Sequence, residues 1–137
     1  ISTVNKETAN LSIQRPLVLG VTILTSLNDK DLLEMGHIGS VNEHVEKYAK
    51  IANDVRLDGI VCSPLEISIV KKLYGDNLKI ITPGIRIKGS IKDDQARFLS
   101  AKEAFQRGAD FIVIGRPLIR SSDPNELINS IINQHDE

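Results

Sequence analysis

TPGIRIKGSIKDDQARFLSAKEAFQRGADFIVIGR, residues 82–116, follows one short apolar run, Leu78–Ile81, and contains a second, Phe111–Ile114. Each run ends in a glycine-containing turn followed by an arginine: Gly84-Ile85-Arg86 after the first, Gly115-Arg116 after the second. Short apolar runs bounded in this way predict buried strands, and arginines set just past strand ends suit a bound oxyanion, phosphate above all. Between them, Ser100-Ala101-Lys102-Glu103 is a capping box that predicts a helix with Ala101, Ala104 and Phe105 on its apolar stripe and Gly108 as its stop. Residues 85–98 are mixed in charge and follow no period, which predicts a long loop of the kind used as a lid or binding segment.

Working outward, the same alternation recurs. Leu17–Leu24 (LVLGVTIL) is almost continuously apolar and too short for a helix, so it predicts a strand buried on both faces, with Thr25 just past its end. Asn28–Met35 predicts a short helix stopped by Gly36. Ser40-Val41-Asn42-Glu43 caps a longer helix whose Val41, Val45, Tyr48, Ala49, Ala52 and Val55 form one stripe. Leu57–Cys62 is the second predicted strand. Ser63-Pro64-Leu65-Glu66 reads as another box with proline at the first helical position, opening a helix that runs to about Tyr74. Asp123-Pro124-Asn125-Glu126 caps the last helix, with Leu127, Ile128, Ile131 and Ile132 facing inward. Residues 1–10 show no clear period.

Four strands alternating with capped helices imply parallel strands joined by helical crossovers, an α/β fold. No glycine-rich dinucleotide fingerprint follows any strand, which favours a (β/α) barrel unit over a Rossmann sheet. A closed barrel of this type needs eight strands and about 250 residues. The chain has 137 residues and four such strands, half a barrel. Its outer strands would expose unpaired backbone groups unless another segment or another chain covers them. The alternative is an open four-stranded sheet with helices on both faces.

Composition narrows the ligand. Seventeen basic and eighteen acidic residues leave a formal net charge of -1 with no long block of one sign, so neither nucleic acid nor a membrane surface is an expected partner. A hydrophobic content of 41% can build a core. The single cysteine, Cys62, precludes an internal disulfide and any multi-cysteine metal site; placed in a strand, it is expected to be core packing, in a chain suited to a reducing cytoplasm. His37, His44 and His135 have no ligand spacing, so no metal is expected. The opening ISTVNKETAN is not a secretory signal, and a sequence that does not begin with methionine is expected to be a piece of a longer one.

The segments VTILTS, LDGIVCS, ITPGIR, DDQ and DFIVIGRPL, spread from about Pro16 to Ile132, together resemble the C-terminal half of the orotidine 5'-phosphate decarboxylase family. The resemblance implies a (β/α)₈ barrel of which this chain supplies strands five to eight, a homodimer, no cofactor and no metal, and conversion of orotidine monophosphate to UMP and carbon dioxide in pyrimidine biosynthesis. It implies that Thr25 lies beside the nucleotide, that Arg86 and Gln95 mark the ends of a phosphate-gripping loop over residues 85–99, and that Gly115 and Arg116 hold the phosphate by a backbone amide and a guanidinium. The family's Lys-x-x-Asp segment, part of its catalytic array, is absent: Lys30-Asp31, Lys50 with Asp54, and Lys92 with Asp94 have the wrong spacing or place. No catalytic residue is therefore assigned, and activity is expected only with a complementary N-terminal half or second subunit. Two other readings stand beside this one: a sister sugar-phosphate barrel such as a hexulose-phosphate synthase, and a non-catalytic remnant that keeps a phosphate pocket or self-associates. At the residue level, Thr25 can equally cap the helix that follows it, and Asp93 and Asp94 can simply be hydrated.

Overall fold

The computed structural model describes residues 1–86 and 99–135. In chain order it contains α1 (Ser2–Asn10), β1 (Leu19–Val21), α2 (Asp29–Glu34), α3 (Val41–Asp54), β2 (Gly59–Val61), α4 (Ile67–Tyr74) and β3 (Lys79–Thr82). These are followed by β4 (Ile85–Arg86), β5 (Leu99–Ser100), α5 (Ala101–Gln106), β6 (Phe111–Ile112), α6 (Arg116–Ile119) and α7 (Pro124–His135). Strands β1, β2, β3 and β6 form one parallel sheet in that order, so each crossover moves one strand along. A second, two-stranded parallel pair joins β4 to β5.

The helices form where the caps require them. Ser40 Oγ accepts from the Glu43 amide at 3.2 Å while the Glu43 carboxylate accepts from the Ser40 amide at 2.7 Å, closing a capping box that opens α3. Ser100 and Glu103 repeat it at the start of α5. The stripes then dock on one face of the sheet. Val45, Ala49 and Ala52 of α3, Ile67 and Val70 of α4 and Ala101 and Ala104 of α5 are buried in one cluster with Ile60 and Ile80 of the central strands.

Among the described residues the other face carries no helical layer; Ile81 at its centre is buried, but its flanks are open. Register partners share a face, so Leu19, Val21 and Phe111 point away from Ile60 and Ile80. They are exposed by 38%, 63% and 50%, and Val113, next on the same side, by 49%. This corrects the expectation that Leu17–Leu24 is buried on both faces: Leu17, Leu19 and Val21 lie open, while Ile23 packs against the core. It also decides against the open sheet with helices on both faces. One helical layer against one bare apolar face is the cross-section of a half-barrel, whose bare side is the barrel interior.

Two other expectations change. Residues 2–10, which show no clear period, form α1. At Ser63-Pro64-Leu65-Glu66 the glutamate reaches back to the Ser63 amide at 2.7 Å, as a box requires, yet residues 64–66 make a turn and α4 starts at Ile67. Proline is therefore ahead of the helix, not in its first turn.

At the N-terminal end of the sheet one device occurs twice. Asp58, just before β2, accepts from the Val18 amide at 2.7 Å and from Arg15 at 2.8 Å. Asp110, just before β6, accepts from the Ile80 amide at 2.9 Å and from Lys79 at 2.8 Å. Each aspartate thus ties its own strand to the neighbour. The Arg15 hydrogen bond and the Val18 amide hold the Asp58 carboxyl below the usual carboxylate range. For Asp110, burial pushes upward, but the Lys79 hydrogen bond, the Ile80 amide and the Lys71 and Lys79 charges outweigh it, so the net shift is also down. A carboxyl held low in the folded state stabilises the fold above its unfolded pKa, about 3.9, and this is lost as pH falls through the folded value. Thermal melting followed from pH 6 to pH 3 is expected to fall steeply below about pH 4, and the Asp58→Asn/Asp110→Asn double variant to melt lower at pH 6 with a shallower acid slope.

Candidate functional site

Thr82 of β3 and Ile112 of β6 are register partners on adjacent parallel strands. Arg86 and Arg116 each follow four residues later, so both arginines leave the sheet from neighbouring strand tips at its C-terminal end. This is the arrangement the anion reading requires. Between Thr82 and Arg86 the chain turns at Pro83-Gly84, with Gly84 at φ +78°, a left-handed conformation that glycine adopts without penalty.

Arg86 is not in a loop. Its backbone belongs to β4 and pairs with Ser100, while Ile85 pairs with Leu99. The parallel pairing holds the two ends of the 85–99 segment side by side, directly above the start of α5. Gln95, like Asp93 and Asp94, lies outside the described residues, and of Arg86 the backbone alone is described.

Gly115 caps α6, its carbonyl accepting from Leu118 at 3.0 Å and Ile119 at 3.2 Å. Pro117 has no amide, so the other amides of that turn are those of Gly115 and Arg116. A methyl group built on Gly115 would meet no described atom within 4 Å, which leaves room in front of the turn for a ligand to approach the backbone.

Thr25 stands at the same end of the sheet, just past β1, and is half-buried. The cap of the next helix is Asn28, whose side chain accepts from Lys30 at 2.9 Å and Asp31 at 3.2 Å in a full capping box with Asp31. That removes the capping role considered for Thr25, which makes no hydrogen bond to a described residue. Thr25, Gly115 and Arg116 thus share one end of the sheet with the backbone of Arg86.

The remaining candidates fall elsewhere. Lys50 and Asp54 pair with each other one turn apart on the exposed side of α3, and Lys30 pairs with Glu34 on α2. The rings of His37 and His44 meet edge-on with centroids 5.4 Å apart. Among the described residues no group of three His, Cys, Asp or Glu side chains could hold a metal ion, and no helix is long and apolar enough to cross a membrane. Cys62 is 1% exposed, and burial, with the Glu66 charge, pushes its thiol up to about 12; it is a packing residue with no thiolate to offer near neutral pH. Sequence reasoning missed Asp58 and Asp110. An aspartate placed directly before an apolar strand was the available signal.

Residues 2–131 match the family model described as orotidine 5'-phosphate decarboxylase / HUMPS family. The chain belongs to this family. The orotidine 5'-phosphate decarboxylase of Haemophilus ducreyi is 44% identical over 116 residues, which is 85% of this chain and 50% of that protein. That of Legionella pneumophila is 38% identical over 118 residues, 86% of this chain and 52% of the relative. Among solved structures, orotidine 5'-phosphate decarboxylase from Lactobacillus acidophilus superposes with a TM-score of 0.75 at 33% identity, covering 91% of this chain and 51% of that one. The chain therefore spans about half the length of the orotidine 5'-phosphate decarboxylase family members it matches, and its four-stranded sheet is a half-barrel of their fold.

Proposed function

We propose that this chain is the C-terminal, phosphate-holding half of an orotidine 5'-phosphate decarboxylase, a carboxy-lyase of pyrimidine biosynthesis that converts orotidine monophosphate to UMP and carbon dioxide. The observation that carries the reading is the pairing of Thr82 with Ile112, which sends Arg86 and Arg116 out of adjacent strand tips at one end of the sheet. The loops after the last two strands of such barrels form their common phosphate site. A guanidinium suits the anion because its donors form a planar, permanently charged fork. The Gly115 turn offers a backbone amide across open space, Thr25 faces the nucleoside, and Arg86 and Gln95 take the family's phosphate-gripping places.

The reacting end of the substrate belongs to the other half. This sequence has no Lys-x-x-Asp segment, so the carboxylate that would press on the substrate's leaving group and the lysine that would protonate C6 must come from a complementary N-terminal half. The completed barrels act as a homodimer in the cytoplasm and need neither metal nor cofactor.

The test is complementation. The chain is mixed with the N-terminal half of the Haemophilus ducreyi relative, and the fall in orotidine monophosphate absorbance is followed. Turnover by the mixture, with none from either half alone, is the expected result. A stably formed complex without turnover, and without heat on titration with UMP, would mark the chain as a remnant and overturn the proposal.

A further inference from the structure

We infer that, on its own, this chain closes its barrel with a second copy of itself, two half-barrels joining around a two-fold axis that runs along the barrel. The inference rests on the half-barrel reading but not on decarboxylase activity. Three features point to it. First, both outer strands of the main sheet, β1 and β6, are parallel members with one neighbour each. Val18 and Thr22 exchange backbone hydrogen bonds with the β2 side, so by strand alternation the amides of Leu19 and Val21 face the open edge. Second, the bare face carries Leu19, Val21, Phe111 and Val113, all apolar and all exposed. Lys79, which shares that face by register, is already held by Asp110. Third, beside the edge strand β6 lies an apolar groove of about 340 Å³ under α7, lined by Phe105, Ile112, Ile114, Ile128, Ile131 and Ile132.

Four strands are half of the eight that close a barrel whose interior side chains can fill. A rotation of half a turn about the barrel axis keeps every strand parallel. It brings β6 of each copy against β1 of the other, making two identical seams and leaving no edge. The apolar faces then meet as the interior layers, and both Gly115-Arg116 turns come to the same mouth. A two-fold axis across the sheet would instead pair β1 with β1 in antiparallel fashion and leave β6 bare, so closure selects the axial arrangement.

The purified chain is examined by sedimentation and by amide exchange. The expected species has twice the chain mass of 15.1 kDa, with the Leu19 and Val21 amides protected. Val21→Lys places a charge in the shared interior and is expected to weaken the dimer at least about a hundredfold, yielding a helical monomer with those two amides in fast exchange. Val113→Lys, on the β6 side of each seam, is a second variant with the same expectation. Ile38→Lys, at a residue 89% exposed away from the sheet, should leave the dimer intact. A wild-type monomer, an open-ended series of larger species, or a dimer indifferent to both lysines would overturn the inference. None of those results would bear on complementation by an N-terminal half.

Discussion

Replacing Arg116 by alanine in the complemented enzyme is expected to lower kcat/KM for orotidine monophosphate by about a hundredfold or more, a loss larger than any accompanying fall in melting temperature accounts for. The size follows from losing the proposed charge-assisted contact to a doubly charged phosphate; truncating one partner of such a pair, once ligand covers it, costs about 2–5 kcal/mol. The phosphate lies far from the carbon that reacts, so its binding energy serves orientation and closure as well as affinity, and kcat should fall along with the rise in KM. Arg116→Lys should recover only part of the loss, because an ammonium keeps the charge but not the planar fork. A drop in melting temperature that accounts for the lost activity would place Arg116 in the fold instead of the site.

Gly59→Ala should damage the fold as severely as Arg116→Ala damages function. A methyl group at Gly59 would sit 2.3 Å from the Lys79 carbonyl oxygen and 2.8 Å from Lys79 Cβ, and these neighbours include the backbone of the adjacent strand. Strands β2 and β3 would have to part at the centre of the sheet. The cost is about 3 kcal/mol, at the upper end for overpacking, and the melting temperature is expected to drop by roughly 10 °C. Gly115→Ala makes the contrast. Its methyl group meets no described atom, so stability should hold while binding at the Gly115 amide is lost. Chemical denaturation of both variants, with UMP titration of the complemented proteins, separates the two roles. Equal destabilisation of both would refute the assignment.

The alternation of strands and helices was legible because the caps are chemically explicit: Ser40 with Glu43 and Ser100 with Glu103 form the predicted boxes. The β1 segment misled for a physical reason. LVLGVTIL is apolar on both sides because both sides are meant to be covered, yet no described residue covers Leu17, Leu19 or Val21. The box at Ser63 misled because a glutamate can reach back to an amide across a turn that never becomes helical. Strands β4 and β5, of two residues each, are too short to display a period. At the site, Arg116 could be reasoned from its place after a strand and a glycine. Arg86 could be reasoned only from its place after the Pro83-Gly84 turn, and Gln95 rests on family resemblance alone.

The paired aspartate ties at the foot of the sheet divide the molecule into a foundation and a workshop. Asp58 and Asp110 secure the strand starts, whereas Thr25, Gly115 and Arg116 stand past the strand ends. Substitutions at the foot should be read out by heat and acid, and those at the top by ligand. An engineer could therefore rebuild the upper turns for a different anion and leave the footing untouched.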